Sequence, residues 1–174
     1  MNLKPTANLV LIAPEIPQNT GNVIRLCANV GARLHLVKPL GFELENPGLR
    51  RASLDYSDLT DILVHESIDE FLQTISIDRV YAATTSGTIP YTAPQYKFGD
   101  TIVFGSESLG LPDSFVDTLK LENRVYIPMM PANRSLNLSN AAAIVVYEMW
   151  RQIHFHGSSD FQDRNPCYLS LIHI

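Results

Sequence analysis

The stretch RSLNLSN (134–140) places one guanidinium, two hydroxyls and two amides among two leucines. It lies between the strand-like RVYIPM and the helix-like AAAIVVYEMWRQ, both apolar enough for a core. An unpaired buried polar group costs about 1–3 kcal/mol. These side chains must therefore cap backbone, hold a ligand, or do both. A second polar set comes early, in NTGNVIR. Asn22, Arg25 and Asn29 recur at i, i+3 and i+7, one stripe of a helix, opposite the apolar stripe Val23, Cys27 and Val30. That stripe is either a solvated face or an Arg and Asn surface that positions a ribose or a phosphodiester. The same helix starts directly after a strand, an arrangement suited to binding an anion.

The elements that must position these groups alternate. ANLVLIA (7–13) is a near-continuous apolar run, as a strand buried on both faces would be. A helix is expected over 19–30, closed by Gly31. Strands are expected at 33–39, 61–66, 79–85, 100–105 and 124–129. Helices are expected at 68–75, at 114–120 and from about 139 to 155, with a short helix around 49–54. Residues 86–99 read as an irregular excursion and 157–174 as a tail, so 1–156 forms one domain. Alternation of this kind predicts an α/β domain with a mostly parallel sheet and helices on both faces.

In such sheets, ligands bind outside the carboxyl ends of strands. Four exits here are polar or rich in Gly and Pro: PEIPQNTGN (14–22), TTSG (84–87), GSESLGLP (105–112) and PMMPANRSLN (128–137). Gly105 and Gly110 would let backbone approach a ligand closely. The three later exits could line one cavity with backbone N–H and C=O groups, suited to an adenosine-like ligand. They carry too few charges for a triphosphate. No P-loop and no GxGxxG after the first strand is present.

The chain has 174 residues, 45% of them apolar, which fits an ordinary globular domain. No apolar run approaches the roughly 18–20 residues that span a bilayer, and the N-terminus lacks signal-peptide regions. Cytoplasmic residence is the default expectation. Cys27 and Cys167 are the only cysteines and lack metal or disulfide-framework spacing. Cys27, on the apolar stripe, is expected to be buried. Among the five histidines only His154 and His156 are close, and an i, i+2 pair does not face one way on a helix. No metal site is expected. A net charge of −5 counts against a bulk nucleic-acid binder but leaves local sites open. Arg25, Arg33, Arg50, Arg51 and Arg134 could form one basic rim. The final helix is apolar nearly all round, which implies burial. Tyr147 and Trp150 are candidate anchors for intrachain packing or for a dimer interface.

NTGNVIRLCA, FGSESLGLP and IPMMPANRSLNLSNAAAIVVYEMWR occur in the order and spacing of three motifs of the SPOUT-class ribose 2′-O-methyltransferases. The chain most resembles the small stand-alone branch that methylates the wobble nucleotide (position 34) of tRNA, over residues 8 to 155. LRRASLDYSD (49–58) also resembles that branch. The resemblance implies S-adenosylmethionine as cofactor, bound in a deep trefoil knot formed by the three later strand exits. Pattern reasoning alone predicts an unknotted sheet, because threaded chains are essentially absent among known folds. The resemblance implies that Ala83, Gly105, Ile127 and Ser135 contact the cofactor, largely through backbone. It makes Arg25 the catalytic arginine, paired with Asn19 in the first motif. Glu107 matches the acidic residue of the second motif, and Asn137 pairs with Ser135 in the third. Tyr147 occupies a tyrosine position used for RNA or for supporting the site. The implied partners are tRNA, by its anticodon stem-loop, and a second copy of the chain in a homodimer that completes the site. Leucine isoacceptors are the implied substrates, with cytidine or a modified uridine at the target. The turn TTSG departs from relatives that resemble TTKG, so Ser86 stands where a lysine would.

An arginine is a poor base, since its pKa exceeds about 12. Arg25 is therefore expected to hold the ribose and its phosphate, with the proton lost late or to a phosphate oxygen. Two other readings remain open at this point. One is a different α/β nucleotide-binding enzyme, such as a reductase. The other is a non-catalytic RNA-binding module on the same scaffold.

Overall fold

The computed structural model describes residues 5–49, 61–133 and 135–159. Strand β1 (Ala7–Ile12) leads into helix α1 (Pro17–Val30), then β2 (Arg33–Val37). Strand β3 (Ile62–His65), helix α2 (Ile68–Leu72), β4 (Val80–Ala83) and the two-residue β5 (Ile89–Pro90) follow. The last part holds β6 (Asp100–Phe104), α3 (Asp113–Val116), β7 (Arg124–Tyr126) and α4 (Leu138–Gln152). Among the described residues, seven strands pair in parallel in one sheet, in the order β3-β2-β1-β6-β4-β7-β5. The expected α/β architecture is thus present.

The two-residue period of each strand divides the core. Leu9, Leu11, Leu34, Leu36, Ile102 and Phe104 point to one face and pack with α1 and α4. Val10, Ile12, Val37, Val80, Ala82 and Val103 point to the other and pack with Phe71, Phe115, Val116 and Leu119. Helices therefore cover both faces. α1 begins with Pro17 in its first turn, where a missing N–H costs nothing. It ends at Gly31, whose φ of 70° lets its N–H reach the Cys27 carbonyl. Val23, Cys27 and Val30 are buried, while Asn22, Arg25 and Asn29 are exposed. Burial pushes the Cys27 thiol pKa up, so it is an inert packing group.

Three expectations change. The strand at β7 stops at Tyr126 rather than running to 129, ahead of Pro128, which has no N–H to donate. The excursion 86–99 contains β5, which pairs with β7 at the sheet edge, where a proline such as Pro90 is tolerated. α4 is not buried all round within one chain. Leu138, Ala142, Val145, Val146 and Met149 are buried, whereas Ile144 and Tyr147 are exposed and Trp150 is half-buried. A single sheet face covers only one stripe of a helix. The chain is helical at 47–49; the rest of the helix expected at 49–54, most of LRRASLDYSD, and the tail from 160 lie outside the described residues.

Candidate active site

A cavity of about 590 Å³ opens at the carboxyl ends of β4, β6 and β7, a volume suited to a small organic ligand. It collects residues from all three later strand exits and from the start of α1. Ala83, Gly105, Ile127 and Ser135 line it, together with Asn19, Glu107 and Asn137. Thr84, Thr85, Ser86, Leu109 and Asp113 line it as well. Their exits were recognisable in the sequence, but their own exposure to the cavity was not.

One hydrogen-bond chain ties the three segments together. The Glu107 carboxylate accepts from the backbone N–H groups of Glu15 (2.8 Å) and Ile16 (3.2 Å) and from Asn19 Nδ2 (2.9 Å). Asn19 Oδ1 in turn accepts from Asn137 Nδ2 at 2.9 Å. Asn137 Oδ1 then caps α4, accepting from the Ser139 N–H at 2.9 Å and the Asn140 N–H at 3.4 Å. An ionised carboxylate only accepts, so each amide in the chain has one possible orientation. The anion expected at the start of α1 is therefore the protein's own Glu107 carboxylate. Ser108 Oγ adds a return bond to Glu15 Oε1 at 2.5 Å.

Glycine is required at 105 for a reason other than ligand approach. A Cβ there would lie 1.9 Å from the Gly110 carbonyl carbon. The Ser106–Gly110 loop folds back on itself, with paired backbone bonds of 3.2 and 2.9 Å, and Gly110 turns it at φ 72°. A Cβ at Gly87 would likewise meet the Val125 backbone at 2.4 Å. The exits thus pack backbone against backbone. Among the described residues that line the cavity, Glu107 and Asp113 are the charged ones and no cation is present.

Arg25 and Tyr147 are not brought into this cavity. Arg25 is exposed on α1, beyond Asn19 along the helix. Tyr147 is 45% exposed on α4, its ring edge-to-face with Trp150 at 5.7 Å. Of the expected basic rim, Arg50, Arg51 and Arg134 lie outside the described residues. Arg33 does not belong to it: it opens β2 at the amino ends of the parallel strands, opposite the exits, and pairs with Asp61 at 2.7 Å. His154 and His156 are exposed beyond the end of α4. No spacing in the sequence marks the buried pair His35 and His65, whose Nδ1 and Nε2 lie 2.9 Å apart against Phe71. Only the register of β2 on β3 brings them together. Burial first, then His65, lowers the His35 pKa to about 4. The pair lies on the face covered by α2, away from the cavity.

Residues 6–147 match the model of the SpoU rRNA Methylase family. The chain belongs to that family. This SpoU-family chain is 49% identical over 151 residues to the tRNA (cytidine(34)-2′-O)-methyltransferase of Escherichia coli strain K12, covering 87% of the chain and 96% of that relative. It is 51% identical over 151 residues to the protein of the same description from Methylovorus glucosotrophus, covering 87% and 98%. A solved structure concerned with "the 2-OH methylation of C/U34 on tRNA" superposes with a TM-score of 0.81 at 41% identity, covering 85% of this chain and 96% of that one. The SpoU methyltransferase AviRb from Streptomyces viridochromogenes, solved with AdoMet, has a TM-score of 0.76 at 21% identity, covering 88% and 60%. At that identity the likeness is one of fold. Family membership read from the three sequence motifs agrees with these matches.

Proposed function

We propose that this SpoU-family chain transfers a methyl group from S-adenosylmethionine to the ribose 2′-hydroxyl of the wobble nucleotide of tRNA, a cytidine or a modified uridine at position 34. The observation that carries this reading is the joining of the three motifs at one cavity through Glu107, Asn19 and Asn137. Relatives near 50% identity described as tRNA (cytidine(34)-2′-O)-methyltransferases support the substrate.

The residues present fit the cofactor. The cavity is walled by strand-exit backbone at Ala83, Gly105 and Ile127, which offers N–H and C=O groups to an adenosine. It contains carboxylates and no described cation, which favours a positively charged ligand. When bound, the cofactor would supply an electrophilic methyl group on a sulfonium, whose sulfur would leave with the bonding electron pair as a neutral thioether. The protein's contribution is then positioning and electrostatics. Glu107 fixes Asn19, Asn19 fixes Asn137, and Asn137 fixes the start of α4 beside Ser135. The hydroxyl proton leaves to water or to a phosphate oxygen.

Arg25 holds the target ribose and its phosphate. It lies outside the cavity of its own chain, so a second copy completes the site. The exposed apolar positions Ile144 and Tyr147 on α4 supply surface for that homodimer, and Tyr147 supports the RNA side of the site. The reading includes the deep trefoil knot, and the close backbone packing at Gly87 and Gly105 is compatible with it. The enzyme acts in the cytoplasm. The test is Arg25→Ala: methyl incorporation into tRNA is expected to vanish while S-adenosylmethionine binding by calorimetry persists. Retained transfer in that variant removes Arg25 from the mechanism. Mass spectrometry that places the methyl anywhere but nucleotide 34 overturns the substrate.

A further inference from the structure

We propose that Leu109 and Met130 form an apolar clamp for the base of the nucleotide being methylated; this rests on the function proposed above and names how that site grips its substrate. Among the described residues, these are the two most exposed large apolar side chains, at 88% and 76%. Both are carried by loops that line the cavity. Leu109 lines it directly, and Met130 follows Met129, which also does. Scattered exposed apolar side chains need no explanation, but the two extremes, one lining the cavity and the other next in the chain to a lining residue, do.

Leu109 is held out, not left loose. Its N–H donates to Ser106 Oγ at 3.2 Å, and the loop is closed by the Ser106–Gly110 bonds on either side of it. The loop spends its polar groups on itself and on Glu15, Ile16 and Asn19, and presents an apolar tip.

The occupant follows from covalent chemistry. A 2′-hydroxyl that reaches the cavity brings its own base with it, because the hydroxyl and the base sit on adjacent ribose carbons. The base must therefore lie near the mouth. It has left the stack of the RNA loop, and an unstacked base has two apolar faces to cover. The described cavity lining has carboxylates and no cation, so the phosphate is left to Arg25 outside it. A leucine and a flexible, polarizable methionine cover a base face without reading its edge. Such a clamp accepts cytosine and uracil alike.

The test uses the full-length chain, saturating S-adenosylmethionine, and two anticodon stem-loop RNAs. One carries cytosine at the target nucleotide and the other an abasic ribose there. On the cytosine RNA, the Leu109→Ser/Met130→Ser variant is expected to raise KM roughly tenfold, the scale of one lost base contact. On the abasic RNA, the double variant and the wild type are expected to match, because the contact is already gone. S-adenosylmethionine is kept saturating for every variant, so that a change of KM reports on the RNA. Equal losses on both RNAs, an unchanged KM on the cytosine RNA, or dissociation of the double variant to monomers in sedimentation would each overturn the clamp. Failure of the wild type to methylate even the cytosine RNA would instead overturn the underlying function, and the clamp with it.

Discussion

Glu107 sets the direction of every bond in the site, because a carboxylate cannot donate. Asn19→Asp would place a second carboxylate against it and remove the N–H it accepts from Asn19 Nδ2 at 2.9 Å. The expected outcome is a loss of about 1–3 kcal/mol, read from urea unfolding midpoints, together with loss of methyl transfer. An unchanged midpoint would mean that the chain of bonds does not bear on the fold. Gly105 gives a sharper case. A methyl group 1.9 Å from backbone cannot be relieved by rotating a side chain. Gly105→Ala is expected to lose cooperative thermal unfolding, followed by circular dichroism. At this scale the motifs marked Asn19, Glu107 and Asn137 in the sequence. They did not tell which atom donates to which, nor that the anion at the start of α1 is a side chain from 91 residues later. Donor and acceptor roles depend on who the neighbour is, and the neighbours come from distant segments.

α1 was legible because its apolar residues recur at helical spacing up to Gly31, and α4 because a long apolar run follows a polar segment. The short β5 was not, since two residues contain no period; only the edge of β7 makes it a strand. The same limit hid His35 and His65, which sit on adjacent strands whose register the sequence does not print. Their pairing gives an acid-sensitive element. In the folded chain the His35 pKa is about 4, against 6.5 for the free side chain. Between those values the unfolded chain binds more protons, so stability rises with pH across that window. The contribution is complete above about 6.5 and is lost as pH falls toward 4, on the order of 3 kcal/mol in all. Denaturant midpoints measured from pH 4 to 7 are expected to show this slope, and His35→Leu is expected to flatten it. A slope that survives the substitution would assign acid sensitivity elsewhere. For α4, Asn137→Ala is expected to cost about 1 kcal/mol through the lost cap.

For the molecule as a whole, the cavity belongs to one chain while Arg25 and the apolar face of α4 point outside it. Ile144→Glu with Tyr147→Glu is expected to give a monomer in sedimentation that still binds S-adenosylmethionine and no longer methylates tRNA. A dimer that persists would move the interface elsewhere. Composition, strand–helix alternation and three motifs were enough to read the fold class and the family, because periodicity and cap chemistry are local properties of a chain. Strand order, the removal of Arg33 from the rim and the exposure of Leu109 at the cavity expected from the three exits were decided by tertiary structure alone. Each is a distance between segments far apart in sequence, set by how the sheet stacks its strands, and no local pattern encodes it.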